Sequence, residues 1–182
     1  VLPLPATPPV PQKPAVRSAP QARPIPSPLA VSAPPPERPH PVKRKGTIFF
    51  VFDDAGNSLK QLDPFLRLPF PCTIAVLPGL QYSKETARRV RAAGKEVILH
   101  QPMQAINLSM DPGPGAVKKG MSSDQIKALV RKNLAEVGPV VGLNNHEGSL
   151  VTADRRSMEA VLDVVREKRI YFLDSRTTAG TV

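Results

Sequence analysis

Residues 46–54 read GTIFFVFDD, and the step from apolar to acidic inside that stretch decides the fold. Residues 47–52 (TIFFVF) are an unbroken β-branched and aromatic run, the pattern of a strand buried on both faces. The run ends on Asp53-Asp54. The same grammar returns further along the chain. Residues 73–77 (TIAVL) close on Pro78-Gly79, and 96–100 (EVILH) close on His100 ahead of Pro102. Residues 140–143 lead into Asn144-Asn145-His146, and 170–173 into Asp174-Ser175.

Helix signals fill the intervals. Ser83 caps a helix that runs to Ala93, with Gly94 as its stop. Ser122 with Gln125 makes a capping box, and Ile126, Leu129, Val130, Leu134 and Val137 then fall on one face. Asp154 caps a helix whose stripe is Met158, Val161, Leu162 and Val165. A shorter helix over 58–65 is interrupted by Pro64. Alternating strands and helices predict an α/β domain over 46–182, a parallel sheet with helical cover. Five strands are too few for an eight-stranded barrel, which takes at least ~200 residues. An open sheet or an interrupted barrel remains.

Upstream of that stretch the chain is a different material. Residues 1–42 hold 15 of the 23 prolines and no glycine. Proline removes the backbone donor and restricts its predecessor, so residues 1–45 are expected to be a disordered, extended, partly polyproline II linker. They carry seven basic residues against Glu37, a net +6 of the chain's +10. That excess suits either solubility or contact with an anionic surface or an envelope protein. The domain itself is nearly balanced, and aromatics are only 4% of the chain, too few for a stacking platform, so no specific nucleic-acid partner is expected. A single Cys72 excludes a disulfide scaffold and a cysteine-based zinc site. No apolar run approaches the ~18 residues of a membrane span.

The ionisable residues gather at strand ends. In parallel α/β folds the carboxyl ends of the strands carry the active site. Asp53 and Asp54 end the first strand, His100 the third, His146 the fourth and Asp174 the fifth. Of three histidines only His40 lies in the linker. Taken singly, a strand-end histidine reads as a hydrogen-bonded structural residue, and an aspartate as a turn cap. Taken together, one geometry explains all five: an Asp and two His around a divalent ion, with a second carboxylate as base. No Walker-type phosphate loop and no GxSxG elbow occurs.

Five short motifs stand in register: VFDDAG at 51–56, LPG at 77–79, ILHQPM at 98–103, NNHEGS at 144–149 and YFLDSRT at 171–177. Together they resemble the divergent polysaccharide deacetylases, distant relatives of the NodB-type carbohydrate esterases, from Gly46 onward. The resemblance implies an irregular NodB-like (β/α) barrel and metal-dependent hydrolysis of N-acetyl groups on a cell-envelope carbohydrate. It makes Asp53 the catalytic base and Asp54, His100 and His146 the ligands of a divalent metal, zinc foremost. Asp174 would orient a catalytic group, and Asn145, Ser149, Ser175 and Arg176 would meet substrate. Gln104 stands where NodB enzymes carry their second metal histidine, so His146 is expected to fill that role. Glu147 stands where the family has Met. The family continues beyond the DSRT motif with further strands and a histidine motif. The barrel is therefore expected to be incomplete at its C-terminus and to lack the usual general acid. A catalytically inactive module that binds a glycan or an envelope partner is the alternative. The resemblance also implies a bacterial envelope setting, periplasmic or secreted.

Overall fold

The computed structural model describes residues 46–182; the proline-rich segment 1–45, and with it the linker expectation, lies outside the described residues. Five strands form one sheet: β1 (Val51–Ala55), β2 (Thr73–Val76), β3 (Glu96–Met103), β4 (Gly142–Glu147) and β5 (Tyr171–Leu173). Every neighbouring pair is parallel and the order is β1-β2-β3-β4-β5. Four helices make the crossovers: α1 (Leu59–Leu66), α2 (Ser83–Ala92), α3 (Ser123–Val137) and α4 (Arg155–Lys168). Sequential order with right-handed crossovers puts all helices on one side, as in a barrel wall. The expected α/β class and open-barrel architecture are present.

Strand alternation sorts the residues between the two faces. Ile74, Val76, Val97, Leu99 and Leu143 join Val90, Ile126, Val130, Val161 and Val164 of the helices in one core. The opposite face carries Ala75, Ile98, His100, Gly142, Asn144 and Tyr171. A Cβ at Gly142 would land on the Tyr171 ring. Burial raises the Tyr171 phenol above its ordinary range, with Glu96 adding to the rise and a Thr73 hydrogen bond opposing it. A β5 side chain that reaches residues of β3 and β2 requires a curved sheet, concave on the helix-free face.

The helices start as their caps dictate. Ser122 and Gln125 form the reciprocal capping box of α3. Asp154 accepts from Ser157 N at 3.0 Å at the head of α4, and Ser58 accepts from Gln61 N at the head of α1. Helix α1 carries Pro64 inside it. Ser83 departs from expectation: α2 has no side-chain cap, and Ser83 Oγ donates instead to Leu77 O at 2.6 Å. It thereby ties the β2–α2 turn.

The strand limits also differ. The run 47–52 was expected to be a strand buried on both faces, yet pairing begins only at Val51. Ile48 and Phe49 are 79% and 84% exposed. The reason lies in the neighbour. Thr73 N donates to Phe50 O at 2.9 Å, and the next rung down would need a donor from Pro71, which has none. β1 is also an edge strand, so one flank has no partner among the described residues. At the other end β3 and β4 extend past the predicted limits, pairing His100↔Asn144, Gln101↔Asn145, Pro102↔His146 and Met103↔Glu147. Pro102 is tolerated because β2 stops at Val76, opposite Leu99, and the single bridge to Val117 on that flank uses Pro102 O and Gln104 N rather than a donor from Pro102.

Candidate metal centre

The extension of β3 and β4 builds the site. His100 and Asn144 sit directly opposite each other, and His146 lies two residues along on the same face of β4. Asp54 arrives differently. The β1–β2 register slips between Phe52 and Ala55, and Asp54 adopts a left-handed backbone, φ 61°. Aspartate accepts that conformation more readily than most residues.

Three potential ligand atoms then form a near-equilateral triangle. Asp54 Oδ1 is 3.2 Å from His100 Nε2 and 3.0 Å from His146 Nδ1, and the two nitrogens are 3.1 Å apart. Ligands at ~2.0–2.1 Å around one tetrahedral ion stand roughly 3.3 Å from each other, so the triangle has the dimensions of a coordination face. Its chemistry agrees. The Asn144 amide donates through Nδ2 to Asp53 Oδ1 at 3.0 Å and to Ser175 Oγ at 3.3 Å. Its Oδ1 therefore accepts from His100 Nδ1–H at 2.8 Å. With that proton committed to Nδ1, His100 Nε2 aims a lone pair at the lone pairs of Asp54. Facing acceptors at this range call for a cation between them. His100 is 2% exposed, and burial lowers its pKa despite the nearby Asp53, which keeps the ring neutral and fit to ligate. The residues fit a divalent ion.

A model of the family described as divergent polysaccharide deacetylase matches residues 50–182. The chain belongs to that family. An uncharacterized protein of Haemophilus influenzae is 31% identical over 132 residues, which is 72% of this chain and 47% of that protein. The uncharacterized protein YibQ of Escherichia coli is 34% identical over 137 residues, 75% of this chain and 42% of its own length. The chain thus spans about half the length of these curated relatives. The crystal structure of an uncharacterized protein from Agrobacterium tumefaciens shares the fold, with a TM-score of 0.66 at 19% identity, over 73% of this chain and 55% of that one.

Within this divergent deacetylase domain the predicted residues part company. Asp53, Asp54, His100 and His146 converge. Gln104 turns away and accepts from Lys119 N at 3.0 Å, so the second imidazole at the centre is that of His146. Ser175 is tied in twice, its Oγ to Asn144 and its N to Asn145 Oδ1. Asn145 also donates to Glu147 O. The Asp174 carboxylate accepts from Arg176 N at 2.8 Å, closing its own turn, and Arg176 is exposed. Ser149 accepts from Ile106 N and holds the β3–α3 loop. Sequence reading passed over Asn144, which is 1% exposed. Its signal was its place in the alternation, two residues before His146 on one face.

Two cavities flank the centre. One, about 490 Å³, lies between β1 and α1 with Asp53 and Asp54 on its wall and Phe52, Leu62, Phe65 and Ile74 among its apolar lining. The other, about 190 Å³, adjoins His146 and is bounded by Asn57, Leu77, Leu80 and the turn at 111–114.

Proposed function

We propose that the protein is a metal-dependent hydrolase that removes N-acetyl groups from a carbohydrate of the bacterial envelope. The observation that carries this reading is the O, N, N triangle of Asp54, His100 and His146 with a further carboxylate, Asp53, beside it. Membership in a deacetylase family supports the substrate class.

Asp54, His100 and His146 would hold the ion, and oxygen and imidazole donors of this kind suit zinc. Such an ion supplies Lewis acidity, lowering the pKa of water toward ~7 and polarising a carbonyl. The rest falls to the chain. Asp53 Oδ1 is fixed by the Asn144 amide, which leaves Oδ2 to accept the proton of the attacking water. Buried His100 stays neutral and does not compete for that proton. The flanking cavities give a sugar room on either side of the reacting carbonyl.

The test is acetate release from N-acetylated chitooligosaccharides and peptidoglycan fragments, with zinc-loaded and chelator-treated protein side by side. Acetate released only by the loaded protein is the expected result. A second reading, a module that binds glycan without hydrolysis, draws on Asp174, whose carboxylate is engaged in its own turn and so gives the leaving amine no acid. Saturable glycan binding with no acetate release would favour it. The envelope setting is checked by fractionating cells that express the protein from its own gene.

A further inference from the structure

We infer that Asn144 is a two-ended positioning residue, its carbonyl oxygen fixing the tautomer of His100 and its amide nitrogen fixing the carboxylate of Asp53. The inference deepens the reading of the site given above and rests on it for the zinc and kinetic arms, while the tautomer arm stands on geometry alone. Asn144 lies on β4 directly opposite His100 of β3, and it is 1% exposed, so water does not compete for its hydrogen bonds. An amide has one acceptor end and one donor end, and here each end has its own task. The donor end faces two acceptors, Asp53 Oδ1 at 3.0 Å and Ser175 Oγ at 3.3 Å. That sets the orientation, because turning the amide over would put its oxygen against the Asp53 carboxylate. The acceptor end must then face His100 Nδ1, at 2.8 Å. An imidazole whose Nδ1 proton is held in this way presents Nε2 as a ligand. Asp53 Oδ1 lies 4.0 Å from His100 Nδ1, beyond hydrogen-bond reach, so the acceptor for that proton is Asn144. Asn144 keeps ligand and base apart while tying both to one rigid strand.

The two ends are separable by substitution. Asn144→Ala removes both. Asn144→Asp keeps an acceptor for His100 but replaces the donor to Asp53 with a like charge. Nitrogen-15 NMR of the metal-free wild-type protein at neutral pH should show His100 protonated on Nδ1. Asn144→Ala should shift that proton toward Nε2 and weaken zinc binding by ~10–100-fold, as loss of an outer partner of a ligating histidine does. Asn144→Asp should keep the Nδ1–H form and zinc affinity within about threefold, since the acceptor survives. It should lower kcat at unchanged KM, since only the base is disturbed. A wild-type His100 protonated on Nε2 overturns the inference, and so does Asn144→Ala binding zinc as the wild type does. Should the alanine variant fail to fold, the wild-type tautomer and the aspartate variant still decide, and loss of the Nδ1–H form in Asn144→Asp counts against the inference. A wild type that releases no acetate would sink the deacetylase reading while leaving the NMR and zinc results to judge Asn144.

Discussion

Asp54 Oδ1 lies 3.0 Å from His146 Nδ1, and the carboxylate reaches that point through a left-handed backbone, φ 61°, at the slip between β1 and β2. A strained residue held where three potential ligand atoms meet gives up local comfort for a binding geometry. Asn tolerates the same backbone, so Asp54→Asn removes the charge without moving the chain. The metal-free variant should match the wild type in thermal stability, or exceed it, because the facing lone pairs are relieved. Zinc affinity should fall by more than the ~10–100-fold that an outer partner is worth. Calorimetric titration with zinc checks the second point and a melting curve the first.

His100 makes the metal-free protein sensitive to acid. Burial depresses its folded pKa below the ordinary value. Below about pH 6.5 the unfolded chain therefore binds a proton that the folded chain refuses, and stability rises with pH wherever the unfolded state holds more protons. This contribution is fully present above ~6.5 and is lost as pH falls toward the depressed value. Denaturant midpoints measured in chelator between pH 5 and 8 should fall on the acid side. His100→Gln should flatten that slope. An equal slope in both proteins would assign the effect to other groups.

Much of this was legible because it is local. Helix caps at Ser122 and Asp154 act within three residues, and the alternation of apolar runs with amphipathic stripes needs no partner to be read. The convergence of Asp53, His100 and His146 followed from the rule that parallel strands deliver their ends to one edge. The rest depends on residues far away in sequence. The start of β1 is decided by Pro71 across the ladder, and the length of β3 by the early stop of β2 at Val76. Ser83 looks like a cap until Leu77 O is seen beside it. Asn144 has no motif of its own; its role exists only between Asp53 and His100.

Gly142 and Tyr171 test the curvature. The ring lies where a Cβ on residue 142 would be, so Gly142→Ala forces it off the concave face. Overpacking of this kind costs about 1–3 kcal/mol. Tyr171→Ala vacates the space, and the double variant should recover part of the loss relative to the sum of the singles. Strict additivity would mean that the ring does not cover Gly142 in solution.

Asn133 of α3 and Gln101 of β3 hold the long β3–α3 loop. Asn133 Nδ2 donates to Gln101 Oε1 and to Gly115 O, both at 2.9 Å, and Gln101 Nε2 donates to Gly115 O as well. Asn133 is 2% exposed. Asn133→Leu leaves a buried acceptor unpaired, at a cost of about 1–3 kcal/mol. Amide hydrogen exchange should speed up in residues 104–117 ahead of the sheet. Uniform acceleration across the domain would instead mark a global loss.

The adjacent carboxylates Asp53 and Asp54 give the sharpest division of labour. Asp54 points into the triangle, 3.2 Å from His100 Nε2, whereas Asp53 lies on the other side of the ring, 4.0 Å from Nδ1. On the proposed reading Asp54 ligates and Asp53 takes a proton. Asp53→Asn keeps a polar group of the same shape and leaves all three ligand atoms in place. Zinc content should stay at the wild-type level, and acetate release should drop by ~10²–10⁴-fold, the usual worth of a general base. Asp54→Asn should lose metal and rate together. Matching metal loss in both variants would erase the distinction between base and ligand, because a residue outside the triangle has no reason to govern its occupancy.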